Sequence, residues 1–169
     1  MHFASYTLMD NHAHLVVIPD REGSLRKAIG ETHRLYTRGI NFRMGKPGYL
    51  FQGRPLACPL DEDHFFAALR YVERNPTRAG IVAQPWDYLW SEAQYHVGLV
   101  ATDPLIDVDV LEHWRFSPEQ WRQLLHTDPH EMVALQKTTR TGRPCGSKAL
   151  VDRLEEITGR ILHPRRPGP

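Results

Sequence analysis

The chain has 169 residues, 41% of them hydrophobic, and a formal net charge of +1, so it has the length and apolar content of one ordinary globular domain. No stretch approaches the ~20 apolar residues of a membrane span, and the start MHFASYTLMDNHAHLVVIP lacks the basic region and long apolar run of a secretory leader. Two cysteines, Cys58 and Cys145, stand far apart in sequence and suggest neither a disulfide framework nor a metal-type pair, which fits a reducing, cytoplasmic setting.

The first elements are two short β-rich segments, FASYTLM at 3–9 and HLVVI at 14–18. Asp10-Asn11 is a turn signal between them, so a hairpin is expected with His12 and His14 at the start of its second strand. Ser24 is the expected N-cap of a helix through LRKAIGETHRLYTRGINFR, with Leu25, Ile29, Leu35 and Tyr36 as its apolar stripe. Gly30 and Gly39 weaken that helix, and MGKPG at 44–48 ends it. Residues 49–60 read as loop and strand.

Asp61 then caps a second helix, EDHFFAALRYVERN, with Phe65, Leu69 and Val72 facing inward. Asn75-Pro76 closes it, because a residue preceding proline disfavours helical backbone. Residues 77–110 look irregular, and Trp86 and Trp90 in that stretch are read as packing residues. Helices are expected near 118–126, 129–138 and 147–161, followed by a mobile tail. The expected organisation is a domain over 1–100, a helical extension over 101–162 that is not an independent domain, and a tail over 163–169.

Charge is unevenly spread. Residues 21–54 hold eight basic residues against two acidic, and residues 137–169 hold eight against three. Such patches are either solvated helix faces or a track for a polyanion. Arg34, Arg38, Arg43, Lys46 and Arg54 belong to the first patch, with Arg143 and Arg165–Arg166 as weaker candidates in the second. Tyr36, Phe42 and Tyr49 interleave with the first set. They either stack on unpaired bases or fill the core, and the core is expected for at least two of the three.

Two constellations carry chemistry. His12 and His14, at i and i+2, point to one face of a strand, where two imidazoles can share a metal ion; the alternative is two unrelated hairpin histidines. Tyr71 and Asn75, four apart, share a helix face. An amide oxygen suits Mg²⁺ or Mn²⁺, and a neighbouring phenol can attack phosphorus; the alternative is a core tyrosine and a helix C-cap.

Several segments together resemble one family. YTLMDNHAHLVVIP is similar to a His-hydrophobic-His motif after a turn. YVERNPTRAGIV resembles the signature around a catalytic tyrosine. LFQGRP, DYLWSEAQYH and GRPCGSKALVDRLEEITGR resemble further segments in the same order. The family is the single-tyrosine HUH transposases, in particular the REP-associated tyrosine transposases, and the resemblance spans about residues 4–162.

The resemblance implies an α+β fold: a ferredoxin-like antiparallel sheet with helices packed on one face, plus C-terminal helices. It also implies that the chain begins inside the family's second strand, so that the fold is N-terminally incomplete. The implied activity is cleavage and strand transfer of single-stranded DNA, often carrying hairpins, through a 5′-phosphotyrosine. Tyr71 would be the nucleophile, and His12, His14 and Asn75 the ligands of a divalent ion. Arg54, inside LFQGRP, is the leading basic candidate for DNA contact. The alternatives are a DNA-binding remnant without catalysis and a hydrolytic metal enzyme with a water nucleophile. Oligomeric state stays open.

Overall fold

The computed structural model describes residues 1–163, and its architecture is α+β: one antiparallel hairpin and several helices. Strands β1 (His2–Leu8) and β2 (Ala13–Ile18) pair from His2↔Ile18 to Leu8↔Ala13. The Asp10-Asn11 turn forms as expected, closed by Met9 N–H donating to the His12 carbonyl at 2.8 Å. The register shifts between Phe3 and Ser5, so Ala4 is the extra residue of a bulge.

Strand β1 is buried from Ala4 to Thr7, although Ser5 and Thr7 are polar. Its free edge is covered by residues 88–92 rather than by another strand. Leu8 N–H donates to Trp90 O, Tyr88 Oη donates to Leu8 O, and Tyr6 N–H donates to the Glu92 carboxylate. These bonds satisfy an edge that would otherwise bury unpaired backbone groups.

Helix α1 (Ser24–Met44) forms where its periodicity places it, but its cap differs from expectation. Gly23, at φ 80°, occupies the N-cap position, and the Ser24 hydroxyl bonds back to the Arg21 carbonyl instead of to the helix. No residue of α1 is buried. Within the expected stripe Leu25 and Ile29 are half-buried and Leu35 and Tyr36 exposed, and Phe42 and Tyr49 are exposed as well. Core filling by Tyr36, Phe42 and Tyr49 is thus incorrect. The physical reason is that α1 extends from the body, and an apolar stripe records only that a helix has a face to cover.

Helix α2 (Glu62–Glu73) is the centre of the packing. Asp61 caps it by accepting from His64 N–H, as its position predicts. Leu69 and Val72 are fully or nearly buried, and Phe65 packs on the same core. Thr7 Oγ1 donates to the Val72 carbonyl at 2.9 Å, which ties the end of α2 to β1. The helix stops two residues earlier than expected. Arg74 is its C-cap, and Asn75 begins a separate short helix α3 (Asn75–Arg78) with Pro76 in its first turn.

Short helices α4 (Ala93–His96) and α5 (Val110–His113) lead to α6 (Pro118–Leu124), α7 (Met132–Thr141) and α8 (Lys148–Thr158). Ser117 and Gln120 form a reciprocal capping box on α6. Trp121, Leu125, Leu135 and Cys145 join Ala4, Val16, Leu69 and Val72 in one core. Trp86 is buried as expected, with Arg122 stacked over its ring, but Trp90 is 64% exposed, which corrects its reading as a packing residue. Only the Trp90 carbonyl is used by the fold, leaving its side chain outside. Cys58 and Cys145 are both free thiols.

Candidate functional site

His12 precedes β2 and His14 is its second residue, so strand alternation puts them on the same face as buried Val16. Helix α2 covers that face. Tyr71, in the last turn of α2, meets His14 edge-on with ring centroids 5.7 Å apart. The structure therefore brings His12, His14 and Tyr71 together.

The two imidazoles approach through their Nε2 atoms, 3.1 Å apart. His12 Nδ1 lies 2.5 Å from Asn11 Oδ1, an oxygen that only accepts. His12 therefore carries its proton on Nδ1 and turns the Nε2 lone pair toward His14. Ring nitrogens this close can share either one proton or one divalent ion. The pair thus fits one divalent ion, with Asn11 as the outer partner that fixes the ring.

Burial pushes the His14 pKa down to about 4, and the neighbouring His12 and Arg78 add to the shift. His14 is then a neutral imidazole at physiological pH, the form that binds metal.

Asn75 does not share a helix with Tyr71, because α2 ends between them. This corrects the expected face-sharing geometry. The near-helical backbone of Arg74 nevertheless carries the chain onward into α3 with Asn75 buried. The Asn75 Nδ2 has no hydrogen-bond partner, so its amide is an unsatisfied polar group next to the end of α2.

Arg78 is the residue that sequence reasoning missed. Its guanidinium lies over the Tyr71 ring, 4.4 Å from the centroid, and its buried Nη1 has no hydrogen-bond partner. It lies inside YVERNPTRAGIV, the segment already singled out around Tyr71, and its place there was the available signal. An unpaired buried donor on a cation beside a phenol is a receptor for an anionic oxygen.

Glu73, two residues after Tyr71 on α2, belongs to a buried polar network. Glu73 accepts from the Trp121 indole at 3.0 Å, and one of its oxygens lies 2.8 Å from His96 Nδ1. Glu92, fully buried beside them, has its pKa pushed up to about 8 by burial and by the charge of Glu73. Burial alone would lower the His96 pKa, but the Glu73 carboxylate raises it. Glu73, Glu92 and His96 are close enough to hold an ion, as are Asp152, Glu155 and His163 on the surface. Neither group includes His12 or His14, so the histidine pair has no acidic third ligand among the described residues.

The basic candidates separate into different settings. Arg34, Arg38 and Lys46 line one hollow on α1 and the loop after it. Arg43 lies in the last turn of α1 and Arg54 in the exposed loop beyond it. Arg143 donates to the Leu162 carbonyl, which ties α8's C-terminal end to the loop before the helix. Arg165 and Arg166 lie outside the described residues. None of the described helices is long and apolar enough to cross a membrane.

No family model, curated protein or solved structure matches the chain.

Proposed function

We propose that this chain is a metal-dependent enzyme that cuts and rejoins single-stranded DNA through Tyr71, in the manner of the HUH transposases that its motifs resemble. One observation carries the reading: two imidazole nitrogens 3.1 Å apart, with the Tyr71 ring packed against one of them. A core tyrosine needs no such neighbours. The finer fold expectation, a ferredoxin-like sheet, belongs to the same proposal, supported by the hairpin under helix α2.

His12 and His14 would hold the ion, with Asn75 as a third ligand. When bound, a divalent ion offsets the negative charge of a phosphodiester and polarises its phosphorus. The chain's own residues do the rest. Tyr71 Oη attacks phosphorus and loses its proton to solvent. The bond to the 3′ oxygen breaks and a 3′ hydroxyl leaves, with DNA joined to Tyr71 through its 5′ phosphate. A second 3′ hydroxyl can reverse the step and join new ends without ATP. Arg78, over the phenol ring, favours the developing phenolate and can donate to a phosphate oxygen.

The test is direct. The protein is incubated with a labelled single-stranded hairpin and Mn²⁺, then run under denaturing conditions. A protein–DNA adduct that disappears in Tyr71→Phe is expected. DNA cleavage that persists in Tyr71→Phe would reveal a water nucleophile and overturn the assignment.

A further inference from the structure

Helix α1 buries no residue, but its second half is not featureless. The chain leaves α1 through Gly45, whose positive φ of 63° turns it back along the helix. Asn41 fastens the return: its side-chain amide donates to the Gly48 carbonyl at 2.8 Å, and its own carbonyl accepts from Gly45 and Lys46. Between helix and returning loop lies an open hollow of about 780 Å³, a size ordinary for small-molecule sites.

The lining has a definite chemistry. Phe51 stacks on His33 with centroids 3.7 Å apart and planes within 6°. Phe42 and Tyr49, both on the rim, are 88% and 99% exposed. Arg34, Arg38 and Lys46 supply positive charge, and no acidic residue lines the hollow among the described residues. Arg34 is paired with Glu31, whereas Arg38 and Lys46 have no ion-pair partner among those residues.

Aromatic faces held beside cations, with carboxylates kept out, complement a flat π system attached to a phosphate. We infer that this hollow binds an unpaired nucleotide of a single-stranded nucleic acid, with its base on Tyr49, Phe42 or Phe51 and its phosphate toward Arg38 and Lys46. Stacking on such platforms tolerates any base, and the cations follow the backbone. The polymer's identity as DNA rests on the reading of Tyr71; the pocket itself does not use the metal or the phenol. It therefore holds the strand during cleavage without taking part in it.

The experiment is fluorescence anisotropy of a dye-labelled decathymidine with the full chain in EDTA. Wild type should bind it, with tighter affinity than for a duplex of the same length. Tyr49→Ala and Phe51→Ala should each weaken binding about tenfold, near the middle of what one base–aromatic stack contributes. Arg38→Glu should weaken it further and flatten its salt dependence. Circular dichroism melting of each variant should match wild type, because Arg38, Tyr49 and Phe51 are all exposed.

Unchanged affinity in all three variants overturns the pocket, even if wild type forms the Tyr71 adduct. Loss of binding in the variants sustains the pocket, even if wild type forms no adduct and the cleavage reading fails. Equal affinity for duplex overturns it, as does a wild type that binds no oligonucleotide. A wild-type dimer that Phe42→Ser converts to monomer, with decathymidine affinity unchanged, assigns the same surface to a second copy of the chain and also overturns the inference.

Discussion

Arg78 lies over the face of the Tyr71 ring, and the His14 ring stands perpendicular to that ring with centroids 5.7 Å apart. The phenol is therefore held between a permanent cation and a neutral imidazole. Neither contact uses its hydroxyl, and the hydroxyl is what the proposed chemistry needs free.

Loss of Arg78 should slow adduct formation. A desolvated cation–π contact is worth about 2 kcal/mol, so Arg78→Ala is expected to lower the rate about thirtyfold in single-turnover assays. Arg78→Lys should restore part of it, since it keeps charge but not the planar fork. An Arg78→Ala rate equal to wild type would remove this residue from the site.

Asn11 should matter more than a turn residue does. It fixes His12 with its Nε2 lone pair toward His14, and the loss of such an outer partner commonly costs about 10- to 100-fold in metal affinity. Asn11→Ala is expected to weaken Mn²⁺ binding by that factor in calorimetric titration. His14→Ala should abolish adduct formation yet leave DNA binding largely intact, because phosphate contacts dominate affinity.

Tyr71→Phe should melt within about 0.5 kcal/mol of wild type, since its hydroxyl makes no hydrogen bond among the described residues. Guanidinium denaturation checks it. A large loss of stability would make the abolished adduct uninformative.

Stability should fall as pH rises from about 6.5 to above 8; below 6.5 the depressed His14 pKa gives a slope of the opposite sign that offsets that of Glu92. Glu92 keeps its proton in the folded chain up to about pH 8 and loses it near the ordinary carboxylate value when unfolded. Between those values the folded state binds more protons at Glu92, so its contribution to the stability slope is negative. The raised His96 pKa acts in the same direction above its ordinary value, its contribution being lost as pH rises through the folded pKa. Glu92→Gln, which stays neutral and can still accept from Tyr6 N–H, should flatten the profile in thermal melts at successive pH values. A wild-type melting temperature constant across this window would contradict the charge state assigned to Glu92.

Local signals were legible and distant ones were not. Asp61, Leu69 and Val72 announced α2 because cap and apolar spacing are properties of adjacent residues. The hairpin followed from Asp10-Asn11 and the two β-rich runs, and the His12–His14 pair from strand alternation. The same rule succeeded only in part for α1, whose stripe is half-buried at Leu25 and Ile29 and exposed at Leu35 and Tyr36. It failed for Trp90, whose carbonyl rather than its ring was recruited. Glu73, Glu92 and His96 gave no warning, because polar residues become core only through partners far along the chain. Asn75 was placed on the wrong helix because one residue, Arg74, absorbed the break.

The Trp121 indole has a practical consequence. It spans the chain from α6 to a carboxylate two residues beyond Tyr71, and a protein shortened after residue 100 would forfeit it. Glu73 would then face an opened cavity instead of an N–H donor, and Leu69 would lose its cover. The half that carries Tyr71 cannot be isolated by trimming: whoever wishes to study that residue in a smaller polypeptide must first replace what the distant half supplies.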